Sequence, residues 1–576
     1  MDFDPQPFNL LWALLHWVIV LGLVSAAALV VALLIATAAM GTDGPRFIFG
    51  QIGQALKGFV GLFTAGGLRR TSTIAGLTLK EAIRRKALWI FAIFAMLFMF
   101  AGWFLSTSTT ATSDAAEPYI TFVLTVITWL SLPLAILLSC WGLPEDIRVR
   151  SLHTVVTKPV RRVEIVMGRI VGYGLVTALM IAAMGAVGYV WVARTVPDRA
   201  QSQLIGRVPL HGELEILGRD GKPGGGINVG DIWEYRRYVD GNSLARGVYT
   251  FDDMPLDDLR DDGELRLEYD FEVFRSTKGD IVTGVQAQFT LINDRGTEDE
   301  SDDLKVRFPE LPFEVLEYTD SAEDAVQVVP RMLDGREGQP IDLFKQSAKA
   351  PPIDPDDPAA SEPDGLINPD GQLVVSVRCI DPEQYLGIAR RDLFVRLPDN
   401  PFIWSYTKAV IGILLQSLVL VIVGTTASCI VKGPVATFLT LGAFAMGIGA
   451  SRDFADEALF TANTTNAANG VKVLGGGPLE SVYRLVAQLN QTTQIPPSPA
   501  VTAMKKIDTA LLNIEEVVLE VVPDLRPFNT SAYLKRGFDI PWDTSVLPAL
   551  ATTLGFLIPC VILGALCLQM RELEAK

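Results

Sequence analysis

The chain has 576 residues but only five cysteines and three histidines. Cys140, Cys379, Cys429, Cys560 and Cys567 are scattered, four of them in or beside apolar runs, so no disulfide framework is encoded. His16, His153 and His211 are equally far apart and, in the topology derived below, lie on different sides of a membrane, which excludes a zinc site within one chain. Also absent are G-x-x-x-x-G-K-[ST], G-x-S-x-G, H-E-x-x-H and C-x-x-C. The chain therefore offers no nucleotide site of its own and no recognisable catalytic constellation, and it is not expected to be an enzyme. The glycines at 475–477 have no phosphate-loop context, and the acidic run 298–303 lacks the D-x-D-x-D-G spacing with a closing Glu that a calcium loop needs.

Long apolar runs are what the chain has. Hydrophobic residues make up 49%, charged residues 20%, and mean hydropathy is +0.32, the balance of a membrane protein with sizeable water-exposed parts. A spanning helix needs roughly 20 predominantly apolar residues. Runs of that kind cover 10–40, 88–106, 119–141, 170–193, 402–430 and 546–568, with a shorter seventh at 435–450. Almost none keeps the polar face of a soluble amphipathic helix. The one charge inside them is Lys408, near one end of its run, where it is expected to snorkel to the interface. Buried charges would mark an ion path, so a proton pump or secondary transporter loses ground.

Orientation follows from Lys and Arg, which short cytoplasmic loops retain. Arg46, Lys57, Arg69, Arg70, Lys80, Arg84, Arg85 and Lys86 precede the second run against only Asp43 and Glu81. That region is expected inside, as is the basic connector at 144–169 two spans later. The expected fold class is thus an α-helical polytopic membrane protein of about seven spans, N-terminus out and C-terminus in. The first run has no basic residue ahead of it and is about twice as long as a signal-peptide core, so it reads as a retained anchor. Phe47, Ile52, Leu56, Phe59, Val60 and Phe63 recur near helical spacing after it, as in an interfacial helix.

Residues 198–399 hold 43 acidic against 22 basic residues, so the acidity of the chain belongs to this one segment, placed outside by the topology. No nucleic-acid role is implied. Leu265, Leu267, Tyr269, Phe271 and Val273 alternate with charged residues, and Val285, Ala287, Phe289 and Leu291 repeat the pattern, predicting a hairpin. Further alternation at 373–379 and 393–397 predicts a β-rich, sandwich-like extracytoplasmic domain. Val501, Met504, Ile507, Leu511, Ile514, Val518 and Val521 mark an amphipathic helix expected to pack on that domain or on the outer leaflet. The parts are then an anchor with its interfacial helix (1–71), a first helical half (72–195), the acidic β domain (196–400), further spans (401–450), a second exported, mainly helical segment (451–543) and a last span with a tail (544–576).

The most telling stretch is 144–169, PEDIRVRSLHTVVTKPVRRVEIVMGR, a basic, Pro-broken connector between two spans. Glu145, Leu152, Thr157-Lys158-Pro159-Val160, Arg162, Glu164 and Gly168-Arg169 resemble the E...L...(S/T)KPV-x-R-x-E...G-K pattern of exporter-type ABC transporter permeases. Leu79-Lys80-Glu81-Ala82 with Arg84-Arg85-Lys86 resembles the elbow helix ahead of that family's first core span, with Thr78 and Glu81 spaced as a capping box. The segment 523–529, with Arg571-Glu572 after the last span, resembles the family's closing segments. The resemblance covers roughly 72–195 and 402–575. Arg169 stands where the family usually has Lys, and the extra first span and large exported insert are departures.

The resemblance implies a permease in the cytoplasmic membrane that pairs with a second permease copy and with separate cytoplasmic ATPase subunits, which bind ATP and magnesium. This chain would bind no cofactor and no metal. Glu145, Asp146, Arg148, Thr157, Lys158, Pro159, Arg161, Arg162, Glu164 and Arg169 would form the docking element, presenting mixed charge to the ATPase, and Glu81, Arg84, Arg85 and Lys86 the elbow. Basic residues there also suit anionic lipid. The β domain is expected to meet an envelope protein. Alternatives are a non-transporting scaffold or sensor working through that domain and, last, a membrane enzyme with an exported site.

Overall fold

The computed structural model describes residues 8–84, 93–94, 96–97, 116–148, 160–224, 227, 236–252, 254–257, 259, 263–275, 283–294, 303–316, 325–334, 340–347, 364–448, 477–489 and 495–574. Helix α1 (Leu10–Met40) starts where the Asn9 side chain accepts the Trp12 N–H and ends at Gly41, whose φ of 62° suits glycine. Next come α2 (Gly44–Leu62) and α3 (Ala65–Arg84), then α4 (Glu117–Arg148) and α5 (Arg162–Thr195). After the β domain follow α6 (Phe402–Ile430), α7 (Gly433–Gly447), α8 (Pro478–Ala487), α9 (Pro499–Val521), α10 (Ser531–Lys535) and α11 (Leu547–Glu574).

Five segments among the described residues are long and apolar enough to cross a membrane: Leu10–Ala38, Glu117–Glu145, Arg162–Thr195, Phe402–Ile430 and Trp542–Gln569. The expected second span at 88–106 lies almost wholly outside the described residues. The shorter seventh run forms α7, whose 15 residues rise about 22 Å, short of a hydrocarbon core of about 30 Å. Helices α4, α5, α6 and α11 pack into a bundle whose buried contacts include Ile127, Ile181 and Tyr406 at one end and Leu143, Val166, Ile422 and Val561 at the other.

The chain between α5 and α6 is β-rich. Its strands are β1 (Ile205–His211), β2 (Glu213–Leu217), β3 (Arg237–Asp240), β4 (Arg246–Phe251), β5 (Glu264–Tyr269), β6 (Glu272–Arg275), β7 (Val285–Asn293) and β8 (Leu304–Val315). They continue as β9 (Val326–Pro330), β10 (Met332–Asp334), β11 (Pro340–Gln346), β12 (Asp364–Ile367), β13 (Leu373–Cys379), β14 (Gln384–Ile388) and β15 (Leu393–Pro401). Four sheets, ordered β1-β15-β5-β9, β10-β11-β12, β2-β4-β13-β7-β8 and β3-β14-β6, enclose one core, where two sheets were expected.

The alternating residues of 265–273 are all buried, but they belong to two strands. The chain breaks at Asp270, where Asp392 accepts its N–H, so that β5 joins β15 and β9 while β6 joins β14. The predicted hairpin with β7 does not form, because β7 lies between β13 and β8. Alternation decides which face a side chain takes and is silent about which strand lies next to it.

The β domain sits directly on the bundle. Arg207 of β1 donates its N–H to the Gly537 carbonyl and accepts from the Asp539 N–H, at 2.9 and 2.8 Å, and its guanidinium stacks 4.5 Å from the Phe538 ring while pairing with Glu268. Helix α9 packs on α8, where the buried Asp508 carboxylate accepts the Leu479 and Glu480 N–H groups at 2.9 and 2.8 Å and so caps α8. It meets α1 through Glu520 and His16, 2.8 Å apart, and its stripe of Ile507, Leu511, Ile514, Val518 and Val521 is exposed.

Candidate functional site

Helix α5 has 34 residues, about 51 Å, whereas a hydrocarbon core is about 30 Å thick. Its uncharged part begins at Ile170, so Arg162–Arg169 fits the portion beyond the apolar layer. This overhang is where α3 binds. Thr71, Ala75, Thr78 and Ala82 form a buried stripe of small residues on α3. Opposite stand Gly168 and Gly172: a Cβ at Gly168 would lie 2.7 Å from the Ile74 side chain, and one at Gly172 would lie 2.5 Å from Thr78 Cβ and 3.0 Å from the Ala75 carbonyl oxygen. Two small-residue rows thus bring the helix backbones together, as in close-packed membrane helices.

Charge reinforces that seam. Glu164 is fully buried, and its carboxylate accepts two hydrogen bonds from Arg70 at 2.8 and 2.6 Å and a third from the Arg161 backbone N–H at 3.1 Å. A charge taken out of water is stable only with such complete pairing. Further along, Arg169 reaches Glu81 at 2.9 Å and touches the Tyr173 hydroxyl at 3.4 Å. Helix α2 closes the group, with Gly58 against Val163 and Gly61 against the Arg161 guanidinium. Its glycine face meets α5, while Phe49, Leu56, Val60 and Phe63 are exposed on its other side.

Several expected site residues fall differently from the sequence reading. Helix α4 continues through Pro144 to Arg148, so Glu145, Asp146 and Arg148 occupy the end of a helix, with Glu145 half-buried. Arg162 begins α5 and is half-buried. Glu164 and Arg169, read as presented outward, are turned onto α3. Thr157, Lys158 and Pro159 lie outside the described residues, as do Arg85 and Lys86; Arg84 is the last residue of α3. Thr78 and Glu81 do not make a capping box: Thr78 is within α3, where its hydroxyl donates to the Ile74 carbonyl at 2.9 Å. The Gly168-x-x-x-Gly172 spacing was the missed signal, since only small residues permit such an approach.

Lys408 also departs from expectation. Its ammonium is buried and bonds both Asp539 carboxylate oxygens at 3.0 and 2.8 Å and the Ile540 carbonyl at 2.9 Å. Ser405 and Asn400 donate to the same carboxylate, at 2.6 and 2.8 Å. Among the described residues no group of three or more His, Cys, Asp or Glu side chains could hold a metal ion. No protein-family model, curated protein or solved structure matches the chain.

Proposed function

We propose that the chain is the membrane-spanning permease subunit of an ATP-binding cassette transporter, an exporter, working with separate cytoplasmic ATPase subunits and a second permease copy. The observation that carries this reading is the seam of Arg70, Glu164, Gly168 and Gly172, which makes α3 and the overhang of α5 one rigid unit. The segment at 149–161 leads straight into that unit. A protein gripping Lys158, Arg161 and Arg162 would therefore displace both helices together and tilt the spans they continue into.

In this reading the C-terminus and α2 to the start of α5 face the cytoplasm, the β domain and α8–α9 lie outside, and the chain resides in the cytoplasmic membrane with seven spans. ATP and magnesium bind the partner. A non-transporting scaffold or sensor is the second reading, favoured by the direct seat of β1 on Phe538, through which an envelope protein bound to the β domain would act on the bundle.

Pull-down of tagged protein from native membranes in mild detergent tests both. Co-elution of an ATPase with the wild type and its loss from Lys158→Glu/Arg161→Glu/Arg162→Glu supports the permease. ATP hydrolysis absent from both eluates sinks it in favour of the scaffold.

A further inference from the structure

Arginines in the acidic β domain are generally tied to carboxylates. Arg236 holds Asp392 and Glu272, Arg396 holds Asp399, and Arg331 holds Asp342. Arg246, Arg307 and Arg378 differ. Tyr249 and Phe251 of β4, Val375 and Val377 of β13 and Val306 of β8 face the core, so Arg246, Arg378 and Arg307, at the alternate positions, share the outer face of the five-stranded sheet.

Their spacing follows from register. Val377 lies opposite Gly247, which sets Arg378 opposite Arg246 one residue on; across the next ladder Arg378 faces Gln288, and Arg307 faces Thr290 two residues further along β7. Three strand spacings of about 4.8 Å, with the two-residue offset of about 7 Å along the strand, put the row within about 16 Å.

Among the described residues, the one polar contact of these three guanidinium groups is Arg378 to the Gln288 side-chain oxygen, at 3.3 Å. The Nε–H groups of Arg246 and Arg378 are buried without an acceptor. Of the described carboxylates on this face, Glu314 is engaged by Gln286 at 3.1 Å, while Glu213 and Glu215 stand on β2 opposite Thr250 and Val248, without a bond to these arginines. Burial, then Arg307 and Arg246, pull the Arg378 pKa below its ordinary value. Beside Arg378 opens a depression of about 300 Å³ bounded by Asn242, Ser243, Leu244 and Ile380.

We propose that this face is an oxyanion site that takes a phosphate-bearing ligand, with Arg378 at its centre and Arg246 and Arg307 flanking it. A phosphate monoester carries close to two negative charges and three acceptor oxygens, and the planar guanidinium fork engages such oxygens in pairs. With the Nε–H groups closed off by burial, the terminal guanidinium N–H groups are the donors that a seated oxyanion would meet. Free phosphates and the phosphodiester of an anionic phospholipid headgroup, with one charge and two free oxygens, share the paired acceptor oxygens that a guanidinium fork engages.

The test uses the full-length chain in a neutral detergent, titrated calorimetrically with inorganic phosphate and with tripolyphosphate against sodium chloride of matched ionic strength. Saturable binding, tighter for tripolyphosphate, is expected. Arg378→Gln should weaken it about tenfold, the worth of a charge-assisted hydrogen bond, while its melting temperature without ligand stays at or above that of wild type because a repulsion is relieved. Arg307→Gln, at an exposed position, gives the same reading if Arg378→Gln fails to fold, and Arg331→Gln should leave binding unchanged. Flotation with phosphatidylglycerol against phosphatidylcholine vesicles separates the sources: capture that needs phosphatidylglycerol and Arg378, without binding of either free phosphate, assigns the headgroup. No saturable binding of any phosphate probe, or binding equally strong in Arg378→Gln and Arg307→Gln, overturns the site.

Discussion

Lys408 and Asp539, 131 positions apart, form a buried ion pair at the foot of the β domain, with Ser405 and Asn400 completing the carboxylate's shell. The pair ties α6 to the segment that leads into α11, near the place where β1 lies against Phe538. Removing one partner leaves an uncompensated charge, so Lys408→Met alone should cost about 3–5 kcal/mol. Adding Asp539→Leu should recover most of that loss. Thermal unfolding of the three proteins in one detergent checks the cycle, and purely additive losses would show that the pair is not coupled.

The seam between α3 and α5 depends on the missing side chain at Gly172. Gly172→Val must push α3 outward, since the new Cβ meets Thr78 Cβ and the Ala75 carbonyl. A cost of about 1–3 kcal/mol is expected from overpacking. Under the permease reading, Gly172→Val should retain the ATPase in the pull-down and lower the ATP hydrolysis of the eluate.

Asp392 gives the β domain a pH dependence of definite sign. Burial pushes its carboxyl up to about 6, with Arg236 opposing. Between pH about 4 and about 6 the folded chain then holds a proton at Asp392 that the unfolded chain has released, so stability falls as pH rises through that window and is level above it. About two pH units correspond to about 3 kcal/mol. Asp392→Asn, which keeps an acceptor for Arg236, should flatten this slope in denaturant titrations at pH 4, 5, 6 and 7; an unchanged slope would assign it to another group, such as Glu268, whose carboxyl burial also raises.

How much of this could be read beforehand depends on the range of the interaction. Length and apolarity announce α1, α4, α5, α6 and α11, and two-residue alternation assigns Leu265, Phe289, Val375 and Val395 to a core. Both are local signals. Strand partners are not local: Phe271 and Val273 alternate in phase with Leu267, yet a break at Asp270 sends them to another sheet. Arg70 read as one more cytoplasmic positive charge, and Lys408 as a snorkelling one, because Glu164 and Asp539 are 94 and 131 residues away. Gly168 and Gly172 were legible in principle, for a small-xxx-small spacing on a helix needs no knowledge of its partner.

The inserted domain should be removable. Ile205 and Pro401 are partners in the β1–β15 ladder, so their Cα atoms stand about 5 Å apart and a two- to four-residue turn can join them. A chain lacking 206–400 should remain monodisperse in detergent and, under the permease reading, keep its ATPase. Loss of Asn400 and of the Arg207–Phe538 stack should lower its melting temperature. Aggregation of this variant would show that the bundle needs the domain in order to fold.

Strand β15 ends at Pro401 and α6 begins at Phe402, with no linker between them. A domain of this size is about 40 Å across. A tilt of about 10° in α6 therefore sweeps the far edge of the domain through roughly 7 Å on that arm. If the seat on Phe538 moves with α6, the acidic domain would act as a pointer, turning angular changes of a single helix into displacements as large as a side chain at its far surface.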